Sequence, residues 1–357
     1  MCVRKDLSSL VALRDFGRGI EFLMRVFAAA VAVIVLVQVS PWHGLKAVPY
    51  NDSVGHGLQT VPTPGEGTWS EKARLGEQRT EAAVVFLNGK IYVLGGMARG
   101  QDSHTLNQEY DPATDRWRER APMPHALSHP GAAALNGKIF VVGGFLRNVH
   151  LDAQDLVFEY DPAKDSWRTL TPLKSPRGSV GVAAVNGKIH AIGGRDVNRV
   201  TVATHEVYDP ATGTWSELPP LPKARDHMGV VAVGGAIHAI GGRFNTPNEN
   251  TGMHDVYDTR SKSWKSAAPL RTPRSGVSAV LYRGRILIDG GECNQGKPFV
   301  ENEAYDVKAD RWSPLAPMPS GRHGIQAATD GQVMYIPGGA PACATAASDT
   351  LLTFRLP

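Results

Sequence analysis

The stretch Asn88-Gly-Lys-Ile-Tyr-Val-Leu-Gly-Gly96, followed by Tyr110-Asp-Pro-Ala-Thr-Asp-Arg-Trp117, decides the fold, because the chain keeps returning to it. Gly-Gly pairs stand at 95–96, 143–144, 193–194, 241–242, 290–291 and 338–339, at a period of 48 to 50 residues. A tryptophan lies 26 positions before the first glycine of each pair: Trp69, Trp117, Trp167, Trp215, Trp264 and Trp312. In five copies a tyrosine precedes the tryptophan by seven residues, at Tyr110, Tyr160, Tyr208, Tyr257 and Tyr305. Length therefore varies only between the second glycine and the tyrosine, where the separations are 14, 16, 14, 15 and 14.

Each unit reads as four short strands. An apolar run (Ala82 to Leu87) meets Asn88-Gly89, and Asn-Gly between apolar runs is a strong hairpin signal that returns at Asn136-Gly137 and Asn186-Gly187. The second hairpin follows from Asp-Pro after the tyrosine, where proline fixes φ and the aspartate can satisfy turn amides. Four-stranded sheets repeated at this period predict an all-β propeller of six blades. Paired glycines, Tyr-Asp-Pro-Ala-Thr-Asp-Arg-Trp and Ala121-Pro-Met-Pro124 together resemble the kelch repeat, over residues 67 to 357. In that family the glycines end the second strand, and the tyrosine and tryptophan pack between blades.

The two ends predict how the ring closes. Trp69 has no tyrosine seven residues upstream, whereas the last Gly-Gly is followed by Thr350 to Phe354 with no tryptophan after it. Phe354 takes the tyrosine's place. The strand at Trp69 is thus expected to complete a sheet built otherwise from the C-terminus, leaving no open edge.

Residues 1–47 read as a leader and 48–66 as a linker. Val26 to Val37 is an unbroken apolar run behind Arg25, the length of a secretory h-region and shorter than the ~20 residues of a spanning helix. Export to the periplasm or the extracellular space is expected, with Met24 as an alternative start. The alternative is anchoring by residues 26–40, the one route by which a membrane would be a partner. Residues 1–47 carry six Lys/Arg and three Asp/Glu, so the rest of the chain has 32 basic against 31 acidic residues. That balance gives no case for nucleic acid. Beyond the leader's Cys2, Cys293 and Cys343 fall in corresponding loops of adjacent repeats. They are able to form a disulfide in an oxidising compartment if their Cα atoms come within about 7 Å.

Two sets of loops should open on one face of the propeller. Ten residues after the tryptophan stand Arg79, Arg177, Arg225, Arg274 and Arg322, with Leu127 in the second repeat, and these arginines are expected to ring the mouth. The loops after Gly-Gly add Arg99, Arg147, Arg195 and Arg243, with Asn148, Asn198, Asn245 and Asn294 close behind. Guanidinium forks suit carboxylates, and asparagine offers donor and acceptor to sugar hydroxyls. Catalytic signatures are missing from the sequence. Gly291-Glu-Cys-Asn-Gln-Gly-Lys297 begins like a phosphate loop, but Pro298 replaces the Ser/Thr that would hold magnesium. His190 and His238 take the strand-two place of Tyr92 and Phe140 and are expected inside the blades. His125, His129, His227 and His323 are read as exposed beside the arginines. They show no ligand spacing, and neither metal nor cofactor is expected.

The resemblance implies three kinds of relative: protein-binding adaptors, sugar oxidases of the galactose oxidase type, and exported sialate mutarotases. The sequence favours an exported binding module that recognises a protein or anionic glycan on the loop-bearing mouth. The alternative is an enzyme acting on an anionic sugar, such as a sialate mutarotase or epimerase, with Glu292, Asp196, His227 and His323 as candidate acid and base residues.

Overall fold

The computed structural model describes residues 65–98, 103–147, 150–293, 296–343 and 346–357. The leader, most of the linker, and Arg99, Asn148 and Asn294 lie outside the described residues. Among the described residues no helix is long and apolar enough to cross a membrane.

Six four-stranded antiparallel sheets follow one another around an axis. In blade 1 the strands run outward from the axis as Ala83–Leu87, Lys90–Leu94, Asn107–Asp111 and Arg116–Glu119. Blade 6 takes Ala328–Thr329, Met334–Pro337 and Leu351–Arg355 from the C-terminus and Thr68–Lys72 from the other end of the domain. Trp69 pairs with Phe354 in that register, with ring centroids 4.8 Å apart. The ring is closed as the sequence predicts.

Blades are joined by bonds that recur at every junction. The first Gly-Gly residue has positive φ, and a Cβ on Gly241 would lie 2.6 Å from Arg274 O of the next blade. Only glycine lets the backbones come this close. The second glycine then donates its N–H across the same junction: Gly96 to Leu127 O, Gly144 to Arg177 O, and so on round to Gly339, which donates to Arg79 O at 2.7 Å. Each tryptophan indole N–H reaches back to the preceding blade, from Trp117 to Ala73 O through to Trp69 on Ala316 O. Apolar clusters fill the space between neighbouring sheets, so the core is distributed as wedges around the ring.

Cys293 and Cys343 form a disulfide with a Cα–Cα distance of 5.7 Å, tying the blade 5 loop to the blade 6 loop. The bridge spans 50 residues of sequence, for which closure entropy gives a stabilisation of about 2–4 kcal/mol. Replacing both cysteines by serine is expected to lower Tm, and reductant should lower the wild type toward the same value. Identical melting curves with and without reductant would contradict this.

Candidate functional site

The arginines ten residues after each tryptophan do not ring the mouth. Arg79, Arg177, Arg225 and Arg274 are fully buried, and Arg322 nearly so. Each holds a carbonyl of its own blade's second strand or of the glycine that follows it: Arg79 on Gly95 O, Arg177 on Ala191 O, Arg225 on Ala239 O, Arg274 on Ile288 O and Arg322 on Gly338 O. Their remaining charge meets a residue two before the tyrosine: Gln108 for Arg79, Glu206 for Arg177, Asp255 for Arg225 and Glu303 for Arg274. In blade 2 both partners change together, to Leu127 and Phe158, which pack in one apolar cluster. These arginines are therefore structural. They were misplaced because a residue repeated in every blade marks a shared packing position as readily as a shared binding position.

The mouth is built two residues further on. Glu81, His129, Ser179, His227, Gly276 and Gly324 occupy one equivalent position in the six blades, twelve after the tryptophan. All six line the axial channel and all have positive φ. Their backbones form a belt across the blades. Glu81 N–H donates to Gly324 O (2.8 Å), His129 N–H to Glu81 O (2.9 Å), and Ser179 N–H to His129 O (3.0 Å). Gly276 N–H donates to His227 O (2.9 Å) and Gly324 N–H to Gly276 O (3.1 Å). Between Ser179 and His227 side chains meet instead, with Ser179 Oγ 3.3 Å from His227 Nε2. Glycine suits this left-handed geometry, and blades 5 and 6 use it. Placing Glu, His, Ser and His there costs about 1 kcal/mol apiece, and such strain gathers at functional sites.

Below the belt the wall is apolar, formed by residues such as Val84, Ala132, Val182, Val230 and Ala279, around about 850 Å³ of empty space that includes its open end. Above it, the loops after Gly-Gly bring further polar groups. Arg243 is buried and donates Nε to Asp226 Oδ1 (3.0 Å), while its Nη1 pairs with Glu292. Its Nη2 lies 3.3 Å from His227 Nε2 and 3.4 Å from His150 Nε2. Arg195 binds Asn245 O (2.6 Å) and Asp226 Oδ2 (3.4 Å). His150 Nε2 and His227 Nε2 stand 3.2 Å apart, and His129 Nε2 lies 3.4 Å from Glu81.

Burial sets the protonation of this cluster. It holds His129, His150 and His227 well below the ordinary histidine range, helped by their mutual repulsion and by Arg243, so all three are neutral at pH 7. Glu81 is pushed up to about 7 by burial, with Arg243 opposing and Asp226 adding. The 15% of its side-chain surface that meets solvent faces the channel. The mouth thus offers neutral imidazoles, a carboxyl that exchanges its proton near pH 7, a hydroxyl and a paired guanidinium.

Of the residues expected from sequence, Arg195, Arg243, Glu292, His129 and His227 come to this mouth. His129 and His227 are buried there, not exposed, and His323 is buried with Nε2 on Ala342 O (3.2 Å). Asp196 does not join them. Its Oδ1 caps its own turn through Asn198 N–H and Val200 N–H, and Asn198 belongs to that turn. Arg147 is 75% exposed and paired with Asp152. Asn245 accepts Thr201 N–H, which makes it a loop brace. His125 is exposed and stacks on Phe158 outside the mouth. His190 and His238 lie inside the blades as expected. Sequence reasoning missed Glu81, Ser179 and His150. The first two share the twelve-residue spacing, but their types differ from blade to blade.

Two overlapping stretches of the chain, residues 67–242 and 181–356, match the KLHDC2/KLHL20/DRC7 Kelch-repeats domain. The solved structure of YjhT superposes with a TM-score of 0.67 at 16% identity, covering 78% of this chain and 95% of that one. At that identity the likeness is one of fold. No curated protein matches the chain in sequence.

Proposed function

The chain belongs to the kelch-repeat family, and from that premise we propose a binding module that takes the polar end of a glycan into the channel mouth. One observation carries the reading: four blades hold Glu81, His129, Ser179 and His227 in left-handed backbone where the other two use glycine. Gly276 and Gly324 make the same turn in blades 5 and 6 without a side chain. Imidazole, hydroxyl, carboxyl and guanidinium groups together supply the mixed donors and acceptors that sugar hydroxyls need. Arg243 and Arg195, already paired with carboxylates, favour a glycan bearing an anionic group that shares their donors. An exported location, periplasmic or extracellular, accords with the Cys293–Cys343 disulfide.

A second reading is an enzyme acting on an anionic sugar, of the sialate mutarotase or epimerase type. It is favoured by the Glu81 carboxyl, poised near pH 7 and 3.4 Å from the His129 ring, since a proton-transfer group works best with a pKa near the working pH.

The test is a thermal-shift screen of the full chain against neutral sugars, sialic acid, other anionic sugars and acidic peptides. A ligand that binds only the folded state raises Tm with the logarithm of its concentration above Kd. A concentration-dependent rise with an anionic sugar, lost in Arg243→Ala, supports the glycan reading. A rise with acidic peptides alone contradicts it. Anomer exchange of the active sugar, faster with protein and slowed by Glu81→Gln, would select the enzyme.

A further inference from the structure

We propose that His129, His150 and His227 form a site for a divalent transition-metal ion, zinc by preference, at the channel mouth. The three imidazoles come from separate segments of two blades: His129 and His227 from the belt, His150 from the loop of blade 2. One ring nitrogen of each lies within 4.8 Å of the other two. Zinc binds imidazole nitrogen at about 2.0–2.1 Å, so tetrahedral ligands stand about 3.4 Å from one another. The His150–His227 pair, at 3.2 Å, already has that spacing. The widest side of the triangle must close by at most about 1.4 Å on that geometry.

The three rings stand edge to face with centroids 4.9 to 5.2 Å apart, and their neighbours orient them as a ligand set. His227 Nδ1 lies 2.6 Å from Asp226 Oδ1, and a carboxylate can only accept, so the proton sits on Nδ1 and the Nε2 lone pair points at the cluster. This is the carboxylate–histidine arrangement that orients metal ligands and raises their basicity. His129 Nδ1 is likewise engaged, by Ser128 Oγ at 3.1 Å, which leaves its Nε2 facing Glu81 and the mouth. All three residues have positive φ, 52° at His129, 63° at His150 and 53° at His227, a backbone region that histidine tolerates better than most side chains.

Charge allows the ion. Arg195 and Arg243 face Asp226, Glu292 and Glu81, so both guanidiniums are compensated where they lie. Arg243 Nη2 now contacts His150 and His227 and would yield those contacts to the metal, while Asp226 and Glu292 keep the guanidinium compensated. Glu81 stands beside His129 as a fourth ligand or as the partner of a bound water. Three imidazoles with an open position form the ligand pattern of zinc sites that bind an exchangeable group, and the open position faces the channel. The inference rests on the mouth being a binding site, yet metal is measured without any sugar, so the two readings fail separately.

The full chain, stripped with chelator, should be titrated with cobalt(II) alone. We expect a saturable visible ligand-field band at one ion per chain, displaced by zinc, and a rise in Tm with zinc. His150→Asn, His129→Asn and His227→Asn should each abolish the band, asparagine being the side chain best suited to positive φ, while His125→Asn should leave it unchanged. If the wild type shows no band, the proposal is overturned whatever the variants do. It is also overturned if folded His150→Asn keeps the band. A band without glycan binding would leave the metal site and remove the ligand reading, and glycan binding without a band would do the reverse.

Discussion

Arg177→Leu is expected to destabilise the protein by about 3–5 kcal/mol, because it strands the Glu206 carboxylate in the blade interior. Arg177 Nη1 and Glu206 lie 2.5 Å apart with both side chains almost wholly buried, and burial alone already pulls the Arg177 pKa down against the pull of Glu206. The protein contains its own control. Blade 2 carries Leu127 and Phe158 at these two positions and is as regular as its neighbours. Adding Glu206→Phe should therefore recover most of the loss, since an apolar pair can replace a buried ion pair at little net change. Urea denaturation of the single and double variants decides the matter. Equal losses in both would mean that the arginine's bonds to Ala191 and Ser175 carbonyls, and not the buried charge, carry the effect.

Acid should destabilise the folded chain through two histidine pairs inside blades 3 and 4. His190 Nδ1 and His205 Nε2 lie 2.9 Å apart, and His238 Nδ1 and His254 Nε2 lie 2.8 Å apart, each pair stacked near the tyrosine and tryptophan of the next blade. Burial brings His190, His238 and His254 down to about 4 and His205 to about 3. Between pH 6.5 and 4 the unfolded chain thus binds protons that these folded residues refuse. Their stabilising contribution is complete above about pH 6.5 and is lost as pH falls toward 4, by about 3 kcal/mol per histidine. Glu81 and Asp289, both raised to about 7 by burial, act in the opposite sense, since their contribution is complete at low pH and is lost as pH rises through 7. Two carboxyls do not offset four blade histidines and the mouth imidazoles. Tm should accordingly fall between pH 6.5 and 4.5. His190→Phe with His205→Val, which copies Phe140 and Val157 of blade 2, should flatten that fall, and an unchanged slope would refute the assignment.

The fold was legible because its determinants repeat. Gly-Gly, tyrosine and tryptophan serve the same junction in each blade, and the mismatch between Trp69 and Phe354 revealed how the ring closes. The site was only half legible for the opposite reason. Arg79 and its counterparts repeat because they pin second-strand carbonyls, and the acidic partners of Arg177, Arg225 and Arg274, each two before the tyrosine, were the available signal of a packing role. The mouth position reads Glu, His, Ser, His, Gly, Gly, so no residue type recurs, and only the fixed spacing from tryptophan and the shared positive φ unite it. His150 was hidden in the longest of the variable loops. The 16-residue separation in blade 2 makes room for a small ribbon, Phe145–Arg147 with Leu151–Ala153, at whose turn His150 sits.

The central claim is that the belt side chains serve a ligand and not the fold. It is tested most directly by measuring Tm and glycan binding together in Glu81→Gly, His129→Gly and Ser179→Gly, which give blades 1 to 3 the residue that blades 5 and 6 already use. The account predicts that Tm holds or rises, as about 1 kcal/mol of left-handed strain is relieved at each site, while binding at the mouth is lost. A marked fall in Tm with binding intact would contradict it, and would make these three residues part of the packing.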